Sequence, residues 1–177
     1  MSVLDCCNPC ATIQVVNIPG PQGEPGTPGD AGAAGAMGTI GTFSPANTVF
    51  SGGTASATQV MMGIGNAGAA FTPITSGNVA VFITGMIGNG TVADGASVQL
   101  RYGVGAAPVY NAVPAGTSAG VIKNMVASTA AGKQGFAIST VITGLTIGVP
   151  VWLDLALSIV TGGTATVYDV DVVWMEA

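Results

Sequence analysis

The stretch GPQGEPGTPGDAGAAGAMGTIG at residues 20–41 has glycine at every third position. Three polyproline-II chains can wind around one axis only where the residue at the axis has no Cβ. A flexible glycine-rich linker, the alternative, has no reason to keep this register throughout. The spacing therefore predicts a collagen-like triple helix. Its axis residues are Gly20, Gly23, Gly26, Gly29, Gly32, Gly35, Gly38 and Gly41.

Proline occurs only in the first triplets of this stretch, at Pro21, Pro25 and Pro28. A stalk so short and so poor in proline needs another domain to hold its three chains together. We therefore expect an attachment segment at residues 1–19, the stalk at 20–41 and a trimerising head at 42–177. At a rise of about 3 Å per residue the stalk would be about 60–70 Å long.

The predicted head has the period-two alternation of β-strands. Clear runs are at residues 78–87, 97–104, 151–159 and 164–175, and weaker ones at 57–65, 69–74, 120–128 and 136–145. The Thr-Gly-Gly-Thr sequence at 161–164 predicts a tight hairpin between the last two strands. About eight short strands without a helical pattern predict an all-β, jelly-roll-type sandwich.

Several predicted strands are apolar on both faces. One face would fill the sandwich, and the other is a candidate for packing between subunits. That second face would include Phe82, Met86, Trp152 and Val160. Both faces could instead lie within one monomer core, but the stalk pattern already demands three chains and favours packing between subunits.

The first segment contains all three cysteines, Cys6, Cys7 and Cys10. We expect disulfides between chains or to an anchoring partner, which require an oxidising setting. Free thiols and a metal site shared between chains are the alternatives. A zinc site needs about four ligands, whereas one chain offers three thiols and no histidine.

The charge is unusually low, at 6% Asp, Glu, Lys and Arg, against about 25% in an average soluble domain. Only Arg101, Lys123 and Lys133 are basic, which argues against nucleic-acid binding. No apolar run reaches the ~20 residues of a membrane span. Residues 1–5 lack the basic start and apolar core of a signal peptide, so we predict neither membrane insertion nor secretory export.

We find no catalytic constellation. The chain lacks histidine, so no Ser-His or Cys-His nucleophile can form. Alternation puts Asp169 and Asp171 on one face of the last strand, opposite Tyr168 and Val170. With Asp154 they are weak candidates for a calcium site, and solvated surface carboxylates are the plainer interpretation. We expect no enzymatic activity and no cofactor.

The glycine-triplet stalk followed by a β head of this size resembles collagen-like proteins with complement-type or tumour-necrosis-factor-like trimeric heads. Within the head, residues 65–73 (GNAGAAFTP) and 77–82 (GNVAVF) carry this likeness. The overall plan is most similar to bacteriophage fibre or spike proteins with collagen-like segments. Such a resemblance implies a homotrimer at the virion surface, docked by its N-terminus on a capsid or tail protein, with its head outward.

We therefore expect a structural phage protein whose head attaches to a host-surface glycan or protein. Recognition would fall on loops at residues 88–96, 105–120 and 130–135, because loops carry recognition on a rigid sandwich. The alternative is a collagen-like filament protein of a bacterial spore or cell surface, cross-linked through Cys6, Cys7 and Cys10.

Overall fold

The computed structural model describes residues 20, 22–24, 26, 40–44, 53–129 and 132–177. The chain divides into two compact units, Met1–Ala34 and Gly35–Ala177. The described part of the second unit forms strands and no helix. Its strands are β1 (Ile40–Phe43), β2 (Val60–Met61), β3 (Ala70–Phe71), β4 (Val79–Asn89), β5 (Gly95–Val104), β6 (Thr117–Val126), β7 (Lys133–Ile142), β8 (Val151–Ile159) and β9 (Ala165–Glu176). None of the described residues belongs to a helix long and apolar enough to cross a membrane.

The strands form two antiparallel sheets. The first sheet has the order β1-β9-β4-β7, and the second has the order β2-β8-β5-β6 with β3 also paired to β8. The prediction of an all-β head is confirmed, and the two sheets are compatible with a β-sandwich. Residues 40 and 41, which the glycine register assigned to the stalk, lie in β1.

Alternation along the strands builds the core. In β4, Val79, Val81 and Ile83 are buried, whereas the intervening Phe82 and Thr84 are exposed. The inward faces of the remaining long strands add residues such as Val98, Leu100, Ile138, Leu153, Leu155, Val167 and Val172. Hydrophobic burial of these facing rows holds the two sheets together.

The last two long strands do not form the hairpin predicted at residues 161–164. β8 pairs with β5 in the second sheet, and β9 pairs with β4 in the first, so these residues cross between sheets. The amide Nδ2 of Asn89 donates to the carbonyls of Gly95 and Gly162, both at 2.9 Å, and fixes this crossing. A Gly-Gly turn permits a hairpin, but β8 and β9 instead form longer hydrogen-bonded pairs with β5 and β4.

The prediction that Tyr168 lies on the same face of β9 as Val170 is wrong. Thr84 lies opposite Asp171 and Met86 lies opposite Tyr168, so β9 contains a bulge between these positions. Asp169, with φ of 49°, is the residue that absorbs it. Because a bulge shifts the alternation by one residue, Tyr168 points away from the core while Val170 points into it.

Candidate subunit-packing surface

The outer face of the first sheet carries apolar side chains in adjacent rows. The first row consists of Ile40, Met175, Ala80 and Val141. The second row consists of Thr42, Val173, Phe82 and Ser139. These side chains point outward because their neighbours Val79, Val81 and Val172 point into the core.

The large apolar residues of these rows are open to solvent in the single chain. Their exposed fractions are 62% for Ile40, 57% for Val141, 45% for Phe82, 41% for Met175 and 37% for Val173. We call these five residues the apolar face. Single exposed apolar residues are normal, but a contiguous group of them marks an interaction surface.

The apolar face occupies only one end of the sheet. We call the end at which β1 begins and β9 finishes the proximal end, and the opposite one the distal end. The third row contains Asp171, Thr84 and Ala137. Further towards the distal end, the Nζ atom of Lys133 lies 3.9 Å from the ring centre of Tyr168, a cation–π contact. The distal part of the same face therefore carries charged and polar groups beside Met86 and Tyr168.

Gly41 positions β1 beside the apolar face. It lies opposite Trp174, and a Cβ built on Gly41 would overlap the indole ring. Trp174 in turn packs on Phe71, with 6.0 Å between ring centres. The absence of a side chain at Gly41 thus serves strand packing in the structure, whereas the glycine register assigned this residue to the stalk axis.

Among the other predicted axis residues, Gly20, Gly23 and Gly26 have no atom within 4 Å of the place a Cβ would occupy in the single chain. The remaining four, Gly29, Gly32, Gly35 and Gly38, lie outside the described residues. So do Cys6, Cys7 and Cys10. The stalk and the disulfides therefore stay predictions.

Glu176 fixes the proximal end of β9. Its carboxylate is buried and accepts hydrogen bonds from the backbone N–H groups of Ile74 (3.0 Å), Thr75 (2.6 Å) and Ser76 (2.8 Å). Burial opposes its charge, but these N–H groups outweigh that effect and lower the pKa of Glu176 to about 2. The adjacent Met175 is thereby held in its row of the apolar face.

Asp154 has a structural role in the second sheet. This fully buried residue of β8 accepts hydrogen bonds from the N–H groups of Gly63 (3.0 Å), Ile64 (3.1 Å) and Leu155 (2.7 Å). Burial raises the pKa of Asp154 to about 7, although the N–H groups favour the charged form. The carboxyl holds a turn that interrupts the edge of the sheet, which is why the predicted strand at 57–65 shortens to β2.

The structure does not bring the three candidate metal ligands together. Asp154 is buried in the second sheet, whereas Asp169 and Asp171 are exposed on the first. Within the described residues, no group of three or more Cys, Asp or Glu side chains is placed to hold a metal ion. The geometry offers no support for the calcium site.

The four residues predicted to form a packing face belong to different surfaces. Phe82 is exposed on the first sheet, where Met86 is half-buried, and Val160 is exposed beyond the distal end of β8. Trp152 is only 5% exposed. Sequence reasoning also missed Val173 and Met175, because period-two spacing puts them on the same face as Asp169 and Asp171, whose carboxylates suggested a solvated face.

Trp152 is covered by the chain itself. It forms a small buried cluster with Met61 and Ala156 on the outer face of the second sheet. The connection between β5 and β6 covers this cluster with Ala107, Ala112 and Ala115. Residues 105–116 are therefore a lid on the second sheet, and Val109 and Val113 are exposed on its outer side.

A cavity of about 260 Å³ lies between β6 and β7 near the distal end. Its walls are Met125, Val126, Ser128, Gly132, Lys133 and Gln134. Small-molecule sites usually measure about 300–1,000 Å³ and bury most of their ligand. The apolar face is therefore the stronger candidate for a functional surface. Neither protein-family models nor curated protein sequences match this chain.

Proposed function

We propose that the chain is a non-enzymatic structural protein of a phage virion: a fibre, spike or decoration protein with a trimeric β head on a collagen-like stalk. Residues 1–19 would attach to a capsid or tail protein. The head would face outward and attach to a host-surface glycan or protein. The observation that carries the proposal is the apolar face, which begins where the glycine triplets give way to β1.

Two separate requirements support a trimer. Glycine at every third position needs three chains around one axis, and an apolar sheet face needs cover from water. The predicted stalk and the apolar face meet at Ile40. This residue follows Gly38 by two positions and is also the first residue of β1 and of the apolar face. Three chains wound together up to this point would bring three apolar faces close to each other.

We also propose that the sandwich is a jelly roll. After β4 the chain crosses to the second sheet for β5 and β6, returns for β7, crosses for β8 and returns for β9. Repeated crossing between two antiparallel sheets is typical of paired Greek keys, whereas a meander would keep consecutive strands in one sheet. This connectivity supports the predicted fold type more strongly than the strand count alone.

The proposed host contact belongs at the distal end. Connections 90–94 and 160–164 lie there, since Asn89 pairs with Ala165 at the end opposite Ile40. Of the three predicted recognition loops, 88–96 is in this group, and so are the described residues of 130–135, since Lys133 pairs with Gly88. Of the loop predicted at 105–120, residues 105–116 cover the second sheet and the rest belong to β6. An N-terminally anchored stalk would present the distal end to the host.

The proposal is tested by co-purification of the protein with particles and by measurement of its mass in solution. It should co-purify with virus particles, and the full chain should sediment as a trimer. Recovery with spores or bacterial surfaces instead would favour the filament alternative. Binding of the trimer to host cells or to a glycan array tests attachment, and a trimer without any such binding would leave only the structural role.

A further inference from the structure

Three-fold symmetry restricts what can cover the apolar face. In a ring of three copies, each pair of neighbours joins two different surfaces, apart from the few side chains on the axis itself. The apolar face of one copy therefore needs a second, different apolar surface on the next copy. This inference rests on the proposed trimer and asks which surface that is.

Strand β6 exposes two aliphatic side chains at a bulge. Val98 of β5 lies opposite Lys123, and Leu100 lies opposite Ala119, so one residue of β5 faces residues 120–122 of β6. Gly120 has φ of 67°, which favours glycine. Val121 and Ile122 follow it and are 71% and 43% exposed. Bulges re-aim side chains at sheet edges, and this one turns two apolar residues outward.

We infer that Val121 and Ile122 of one copy pack on the apolar face of the next copy. The bulge lies beside β7, since a Cβ built on Gly120 would be 2.7 Å from Cγ2 of Ile138. The same strand contributes Val141 to the apolar face. Because Ile138 points into the core and β6 and β7 are edge strands of their sheets, the bulge and Val141 lie at the same lateral edge of the head. A contact between two different surfaces gives a ring only if the rotation between copies closes, and surfaces close to one edge allow the large rotation that a three-membered ring needs.

Charge supports the same pairing. Lys123, one of three basic residues in the chain, directly follows the bulge. Asp171 is exposed in the row that borders the apolar face. Placing the bulge on the face of the next copy brings a positive group towards a negative one, and such complementarity fixes the register of an interface.

The pairing can be tested by mixing two defective chains under reducing conditions. Phe82→Glu damages the apolar face but leaves the bulge intact, and Ile122→Glu does the reverse. Each variant alone should lose the trimer in sedimentation velocity. In an equal mixture, the intact face of one chain can bind the intact bulge of the other, so a species of two chains should appear. Val109→Glu, at an exposed residue of the 105–116 connection, is the control and should keep the trimer.

A photo-cross-linker at residue 82 gives a second test that does not require damaged chains. Benzoylphenylalanine in place of Phe82 should cross-link to residues 117–126 of another chain. Cross-links to β4 or β9 of another chain, or an Ile122→Glu variant that remains a trimer, would overturn the inference while leaving the proposed trimer standing. A wild-type chain that sediments as a monomer would instead overturn the proposed function.

Discussion

The outer faces of the two sheets differ in what covers them. On the second sheet, Trp152 and Met61 lie beneath the alanine-rich connection 105–116. Backbone hydrogen bonds tie this lid down, from Met61 N–H to the Ala112 carbonyl (2.9 Å) and from Asn111 N–H to the Met61 carbonyl (2.8 Å). On the first sheet, Phe82 and its apolar neighbours have no such cover from the described part of the chain.

The difference shows two solutions to one physical problem. A strand with two apolar faces needs packing on both sides, because exposed apolar area is unfavourable in water. The second sheet obtains its extra layer from the same chain. We propose that the first sheet obtains it from another copy. Substitutions on the second sheet should therefore change folding, and substitutions on the first should change association.

A substitution on the covered face of the second sheet should cost the most stability. Trp152→Ala should lower the free energy of unfolding by about 3–5 kcal/mol, because it leaves a cavity under the lid. Phe82→Ala is the matched control. At dilutions at which chains are dissociated, it should change the free energy of unfolding by less than about 0.5 kcal/mol. Equal losses in denaturant titrations of the two variants would contradict the comparison.

The buried carboxyl of Asp154 should make folding pH-dependent. Asp154 keeps its proton up to about pH 7 in the folded chain, against an ordinary pKa of 3.8 when unfolded. The folded state therefore binds more protons between these values and loses stability as pH rises through 7. From pH 5 to 7 the loss should be about 2 kcal/mol.

Asp154→Asn tests this assignment. The variant should be less stable throughout, but its stability should no longer fall between about pH 5 and 7, because the titrating group is gone. Asp171→Asn, at an exposed position of the first sheet, should keep the wild-type slope. An unchanged slope in Asp154→Asn would show that another group is responsible.

On the open face the effect should be on assembly. Met175→Glu puts a charge into the apolar face and should weaken the trimer by about 2 kcal/mol, or about 30-fold in the dissociation constant. Val160→Glu, also at an exposed valine but at the distal end, should leave it unchanged. Sedimentation equilibrium over a dilution series measures the dissociation constant of each variant trimer. Equal constants for Met175→Glu and Val160→Glu would contradict a role of the apolar face in assembly.

The proposed charge pair between Lys123 and Asp171 should contribute least to the trimer. Lys123→Glu should weaken the trimer by about 0.2–1 kcal/mol, since partly solvated ion pairs contribute little, and salt should reduce the difference. Adding Asp171→Lys to the same chain should restore the affinity. If the double variant were weaker than the single one, these two residues would not be partners.

Alternation in the sequence predicted which side of β4 and β8 faces the core, because side-chain direction is a local property. It did not predict the sheet partners of β8 and β9, since pairing depends on which distant strand offers the better match. The predicted orientation of Tyr168 was wrong because the bulge at Asp169 exchanges the inward and outward faces of β9 for the residues that precede it. The apolar face was only partly foreseen, through Phe82, because Val173 and Met175 share their face of β9 with the carboxylate of Asp171.

The most direct test of the account is the mass of the full, unmodified chain in solution. Sedimentation equilibrium at micromolar concentration should give three times the 17.2 kDa of one chain, and the trimer should persist under reducing conditions. A single 17.2 kDa species across the concentration range would mean that no copy covers the apolar face, and the account would be wrong.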